Sequence, residues 1–213
     1  MPIMKKSNGF LANKKVILFL NGEIPHQIPD LSLYDAIFCT DGAYAYLQDL
    51  GIRPNVVSGD FDSIDLNTID ESIEIIPTPD QNYTDFEKCL QLIVEKGYTS
   101  VDVYGASGKQ QDHFIGNLHA AYQFKNQLEL VFIDNYSTYQ FIPKEFQIDG
   151  VKDQIISLIP FPSAENISTK GLLYPLAHEK LDILSRIGTR NKAIENTIHI
   201  TYETGELVLF IIK

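Results

Sequence analysis

Short continuous apolar runs recur along the first two-thirds of the chain, each closed by small or acidic residues. Residues 16–20 (Val-Ile-Leu-Phe-Leu) end at Asn21-Gly22, and residues 36–39 run on to Asp41-Gly42. Residues 55–58 end at Gly59-Asp60, 73–76 at Pro77, and 101–104 at Gly105; 128–133 form a sixth run. Apolar runs of this length without alternation predict strands buried on both faces, as in a parallel sheet. Helical patterns lie between them. Residues 43–50 form one, stopped by Gly51. Residues 84–96 form the clearest, because Thr84 and Glu87 have the spacing of a capping box. Phe86, Cys89, Leu90 and Ile93 then recur on one helical face, and Gly97 supplies a C-cap. Residues 112–124 predict a third helix. Strands alternating with helices predict an α/β domain built on a mostly parallel sheet.

After Pro143 the helical period disappears. Residues 154–159, 166–170, 194–201 and 207–212 read as strands separated by Pro, Gly and Asn turns. They predict a small antiparallel β-sandwich. The expected division is therefore 1–142 for the α/β domain and 143–213 for the sandwich.

Composition narrows the function classes. The 213 residues carry 17 basic and 28 acidic side chains, a net charge of −11. Such a chain is poorly suited to nucleic acid or to an anionic membrane surface, so neither is an expected partner. The two cysteines, Cys39 and Cys89, have no metal or disulfide-framework spacing, which fits a reducing compartment. Residues 1–13 lack the apolar stretch of a signal peptide, and no run is long enough for a membrane helix. The expected location is cytoplasmic.

Candidate chemistry gathers at the strand ends, where open parallel sheets hold their ligands. In Gly59-Asp60-Phe61-Asp62-Ser63, an extended backbone would turn Asp60 and Asp62 to one side, about 7 Å apart. Two hard oxygen donors suit Mg²⁺ shared with phosphates; alternatively, both aspartates simply form Asx turns. Asp85 opens the capped helix as a third carboxylate, with Lys88 one turn on as a cation aimed at phosphate. Those two could equally form a surface pair. Gln81 precedes them in a dense polar loop, 78–85. Gly105-Ala106-Ser107-Gly108-Lys109-Gln110-Gln111-Asp112-His113 follows the fifth strand and lets a phosphate approach backbone amides at a helix start. It matches neither a Walker A loop nor a dinucleotide fingerprint. Asn21-Gly22 and Asp41-Gly42 close two further strands on the same edge. His26, His119, His178 and His199 show no ligand spacing.

These motifs, in this order, resemble the thiamine pyrophosphokinase family over nearly the whole chain. The most specific are Gly59–Ser63, Thr78-Pro79-Asp80-Gln81, Thr84-Asp85-Phe86-x-Lys88-Cys89-Leu90 and Thr169-x-Gly171-Leu172-x-Tyr174-Pro175-Leu176. The resemblance implies transfer of pyrophosphate from ATP to the hydroxyethyl group of thiamine, with AMP as by-product. It implies an α/β domain followed by a β-sandwich, in a homodimer with thiamine bound between subunits. Carried over by motif, Asp60, Asp62 and Asp85 would hold Mg²⁺, with Lys88 and Asp112 assisting catalysis. Gln81, Thr84, Thr189 and Asn191 would bind substrate, and Asn21, Asp41, Gly42, Gly105, Gly108 and Lys109 the nucleotide. The chain departs from the pattern twice. Gln110 stands where the family commonly has arginine, with Lys109 one place earlier, and Arg190 replaces a serine between Thr189 and Asn191. Another Mg²⁺-dependent phosphotransferase or phosphohydrolase, or a non-catalytic thiamine- or nucleotide-binding module, stays open beside the kinase reading.

Overall fold

A computed structural model describes residues 14–62, 64, 66 and 69–213. Ser63, and the segment 1–13 on which the signal-peptide reading rests, lie outside the described residues. The chain divides into two compact units, one ending at Asn135 and the other Tyr136–Lys213. This division falls ahead of the 142/143 boundary expected from the sequence. The reason is a strand, β7 (Ser137–Phe141), that pairs antiparallel with the last strand, β13 (Thr204–Ile212).

In the first unit six strands form one parallel sheet. They are β1 (Lys15–Phe19), β2 (Ala36–Thr40), β3 (Val56–Gly59), β4 (Glu74–Pro77), β5 (Ser100–Tyr104) and β6 (Glu129–Ile133). Their spatial order is β4-β3-β2-β1-β5-β6, every neighbouring pair parallel. The α/β reading of the first two-thirds is thus borne out. The helices are α1 (Asp41–Asp49), α2 (Asp85–Glu95) and α3 (Gln111–Phe124). The chain builds outward from β1 to β4, then returns to lay β5 on the other side of β1. That reversal is a topological switch point, and the crevice at such a point is where open α/β sheets bind their ligands.

Helix α2 forms where the sequence places it. The Thr84 hydroxyl accepts the Glu87 amide at 3.2 Å, and the Glu87 carboxylate accepts the Thr84 amide at 2.8 Å. Phe86, Cys89, Leu90 and Ile93 are its buried face. Asp102, in the middle of β5, is a buried carboxylate away from the strand ends. The Lys15 ammonium at 2.8 Å and the Tyr34 hydroxyl at 2.6 Å satisfy it, the arrangement such burial requires.

The second unit is antiparallel, as the sequence predicts. Two of the expected strands merge into one 16-residue strand, β9 (Ile155–Lys170). Pro160 and Pro162 suggested a break there. Instead, the strand passes through a register shift against β13, between the partners of Gly205 and Leu207. A proline lacking its N–H is tolerated at such an irregularity. The first part of β9 pairs with β13, and its end with β12 (Thr197–Thr201), which in turn pairs with β8 (Glu145–Asp149). Short strands β10 (Glu179–Asp182) and β11 (Gly188–Lys192) pair along its other edge. Alternation packs the core: Phe146, Ile148, Ile198, Ile200, Leu207 and Leu209 point inward to Ile156, Leu158 and Ile167.

Candidate active site

The crevice at the switch point is a cleft of about 670 Å³ in the first unit, lined by the ends of β1, β2, β3 and β5 and the starts of α2 and α3. Its floor depends on two backbones in close approach. The Leu20 amide donates to Tyr104 O at 2.8 Å, and the Glu23 amide to Ser107 O at 2.7 Å. A Cβ on Gly22 would stand 2.1 Å from the Gly105 carbonyl oxygen, and Gly105 itself has φ +69°. Neither position accepts a side chain. The Tyr46 hydroxyl supports Leu20 O from below at 3.1 Å, and Asn117 Nδ2 holds Ala106 O at 2.9 Å. Asn117 ends the 105–117 motif run but carried no assigned role in the sequence. Its signal was its place one turn beyond His113 on the face of α3 that meets the loop.

The structure brings most expected residues to this cleft. Asn21, Asp41, Gly42, Asp60, Gln81 and Thr84 line it, as do Asp85, Lys88, Gly105, Lys109 and Asp112. Gly108 and Asp62 are not among the lining residues. Thr84 lines the cleft with its hydroxyl committed: besides capping α2, it donates to the Glu87 carboxylate at 2.9 Å.

The geometry assumed for Asp60 and Asp62 requires correction. Phe61 has φ +60°, so the backbone between them is left-handed rather than extended. Asp60 Oδ1 accepts the Asp62 amide at 3.2 Å, closing an Asx turn, and the Asp62 side chain is exposed outside the cleft. The other Asp60 oxygen accepts Gln81 Nε2 at 3.3 Å. The Asp62 amide, then Gln81, hold the Asp60 carboxyl below its ordinary range.

Asp41 is the buried carboxylate of the site. Its two oxygens accept the Gly42 amide at 2.6 Å and the Phe61 amide at 2.9 Å. Burial pushes its carboxyl up against the pull of those two amides, and the negative charges of Asp85 and Asp60 push the same way. Lys88 pairs with Asp85 at 2.8 Å and donates to Thr78 O at 2.7 Å and Asp80 O at 3.2 Å. Lys109 reaches across to Asn21 Oδ1 at 2.9 Å.

Among the described residues no three His, Cys, Asp or Glu side chains form a ready metal-binding group. Of the carboxylates that line the cleft, Asp60 and Asp85 supply hard oxygens whose repulsion of Asp41 a cation would relieve. Such a pair fits Mg²⁺, which commonly takes one or two carboxylates and completes its shell with water and substrate phosphates.

In the second unit, Thr189 and Asn191 lie on β11. Its ladder to β9 is irregular between Gly188 and Asn191, and Arg190 takes φ +55°. The Asn191 side chain accepts the Tyr174 amide at 3.1 Å and donates to Tyr174 O at 2.7 Å, fixing the loop that carries exposed Leu173 and Tyr174. Thr189 is exposed.

A parallel α/β unit with a polar cleft at its switch point, followed by an antiparallel β unit, defines a class of two-part proteins with a strand-end site. Comparison with known proteins gives the family. Residues 31–132 match the thiamin pyrophosphokinase catalytic domain, and residues 139–207 match the thiamin pyrophosphokinase vitamin B1 binding domain. The chain belongs to the thiamin pyrophosphokinase family. It is 27% identical over 208 residues to thiamine pyrophosphokinase of Bacillus subtilis, covering 92% of this chain and 97% of the relative. It is 27% identical over 255 residues to thiamine pyrophosphokinase 1 of Arabidopsis thaliana, covering 100% and 95%. The crystal structure of thiamine pyrophosphokinase from Bacillus subtilis superposes with a TM-score of 0.80 at 25% identity, covering 93% of this chain and 99% of that one. No helix among the described residues is long and apolar enough to cross a membrane.

Proposed function

We propose that the protein is an ATP:thiamine diphosphotransferase. The thiamine hydroxyethyl oxygen attacks the β-phosphorus of ATP, and the bond from that phosphorus to the oxygen bridging the α-phosphorus breaks. AMP leaves with the bonding electron pair, and the hydroxyl proton passes to a cleft carboxylate, with Asp112 one candidate. The observation that carries this reading is the cleft itself: carboxylates and lysines gathered around close-packed glycine turns at the switch point, in a chain of this family. Phosphoryl transfer asks mainly for positioning and charge compensation, and the cleft residues are of that kind.

Asp60 and Asp85 would hold Mg²⁺; Asp62, which is not among the residues lining the cleft, is not counted with them. Bound there, the ion would neutralise charge on the polyphosphate. Gln81 steadies Asp60, and the amides around Gly22 and Gly105 to Ser107 present donors to phosphate oxygens. Thiamine would meet Thr189 and the loop braced by Asn191, in a homodimer whose partner supplies one half of the site.

The test is product analysis with purified protein, ATP, Mg²⁺ and thiamine. Thiamine-dependent AMP is the expected result. ADP or free phosphate would assign a different phosphotransferase or hydrolase, and binding without turnover would assign a binding module.

A further inference from the structure

Both lysines of the cleft looked from the sequence like cations for phosphate, yet the structure gives them different surroundings. Lys88 is inside: its side chain is 9% exposed. An ammonium has three N–H donors. Those of Lys88 meet three acceptors, namely Thr78 O, Asp80 O and the Asp85 carboxylate. The first two lie in the loop that leads to Gln81, and the third is a candidate metal ligand. To contact a phosphate, Lys88 would have to abandon one of these and release the loop.

Lys109 is the opposite case. It is exposed, and its bond to Asn21 Oδ1 uses one donor on a neutral amide oxygen. Among the described residues it has no other hydrogen-bond or ion-pair partner, so two donors and the full positive charge stay available. Asn21 follows β1 and Lys109 follows β5, so the bond spans the mouth of the switch-point crevice. A polyphosphate entering there would meet Asp41, Asp60, Asp85 and Asp112, four carboxylates, with Lys88 already engaged.

We propose that the two lysines divide the work. Lys88 is a positioning residue that holds the 78–81 loop and the Asp85 carboxylate in place. Lys109 is the cation that leaves Asn21 to meet the phosphates of ATP. This rests on ATP being the donor substrate, as proposed above. A phosphate oxygen is a stronger acceptor for an ammonium than an amide oxygen, because both partners are charged. The exchange therefore favours the bound state, and Asn21 serves to keep the flexible lysine over the crevice beforehand.

The experiment measures MgATP binding by calorimetry without thiamine, at low and moderate salt, and then steady-state kinetics. The full-length wild type is compared with Lys109→Ala, Lys109→Arg, Lys88→Met and Lys88→Arg. Lys109→Ala should weaken MgATP about tenfold or more and flatten the salt dependence, since one screened charge contact is gone. Lys109→Arg should recover most of the affinity. Lys88→Met should keep MgATP affinity within about threefold and keep the salt dependence, while kcat falls; Lys88→Arg gives the same comparison if the Met variant does not fold. Wild-type affinity in Lys109→Ala would overturn the division of labour and leave the ATP reading standing. So would a Lys88 variant that loses affinity and salt dependence as Lys109→Ala does. No MgATP binding by the wild type would instead strike the ATP reading itself.

Discussion

The Asp41 carboxylate, at the first turn of α1, accepts the backbone amide of Phe61, twenty residues on, at 2.9 Å. This bond ties the end of β2 to the turn after β3 and sets the direction in which Asp60 leaves the sheet. The approach is possible because residue 59 is glycine: a Cβ there would sit 2.2 Å from the Asp41 carboxyl carbon. Gly59→Ala should therefore displace Asp41, lower stability by about 1–3 kcal/mol as overpacking does, and abolish turnover. Denaturant unfolding with an unchanged m-value would measure the first effect. A Gly59→Ala protein with wild-type midpoint and turnover would show that the Asp41–Phe61 tie has no role.

The carboxylates of the cleft should separate into two groups. Asp60→Asn and Asp85→Asn should each depress turnover by orders of magnitude at limiting Mg²⁺. Their double variant should lose little more than either alone, as groups serving one ion do. Asp62 is exposed outside the cleft and gives its backbone amide, not its carboxylate, to the turn. Asp62→Asn should stay near wild type. Equal damage from Asp60→Asn and Asp62→Asn, measured as turnover against Mg²⁺ concentration, would return Asp62 to the metal site.

This contrast shows what was legible in the chain. The capping box at Thr84 and Glu87 is local: two side chains and two amides three residues apart, so spacing alone specified it. The parallel strands were legible because burial on both faces leaves unbroken apolar runs. Spacing could not foretell the turn at Asp60–Asp62. Its left-handed Phe61 accompanies a bond to Asp41, a residue distant in sequence, and sequence gives no view of that approach. The same holds for β9, where prolines read as breaks became tolerable only through the register shift against β13. Strands β8 and β10 are short and polar on one face, and β11, Gly-Thr-Arg-Asn-Lys, has no apolar side chain at all, so no period could register. The commitment of Lys88 to three acceptors was also invisible, since two of them are backbone carbonyls of a loop.

Cys39 and Cys89 should be inert in the native protein. Both are fully buried. Burial pushes the Cys89 thiol up to about 12 and raises Cys39 well above its ordinary value. A raised pKa means that thiolate, the reactive form, is scarce at pH 8 and is not recovered until far more alkaline conditions. Iodoacetamide at pH 8 should label neither cysteine without denaturant and both in its presence, read by intact mass. Rapid labelling of one native cysteine would place it in an opening segment rather than in the core.

The last prediction concerns assembly and follows from the proposal that thiamine is bound between subunits. Asp85 belongs to the cleft of the first unit, and Asn191 braces the Tyr174 loop of the second. Asp85→Asn and Asn191→Ala should each inactivate the homodimer, the second by releasing the Tyr174 backbone from its two bonds. Mixed and allowed to exchange, half of the dimers become heterodimers. In each, one shared site carries both lesions and the other carries none. Activity should therefore rise to about a quarter of wild type, the fraction expected for a two-fold dimer with sites built from both chains. Differently tagged chains would verify exchange by co-purification. A verified heterodimer with no recovered activity would mean that each chain holds a complete site, and the shared-site reading would fall.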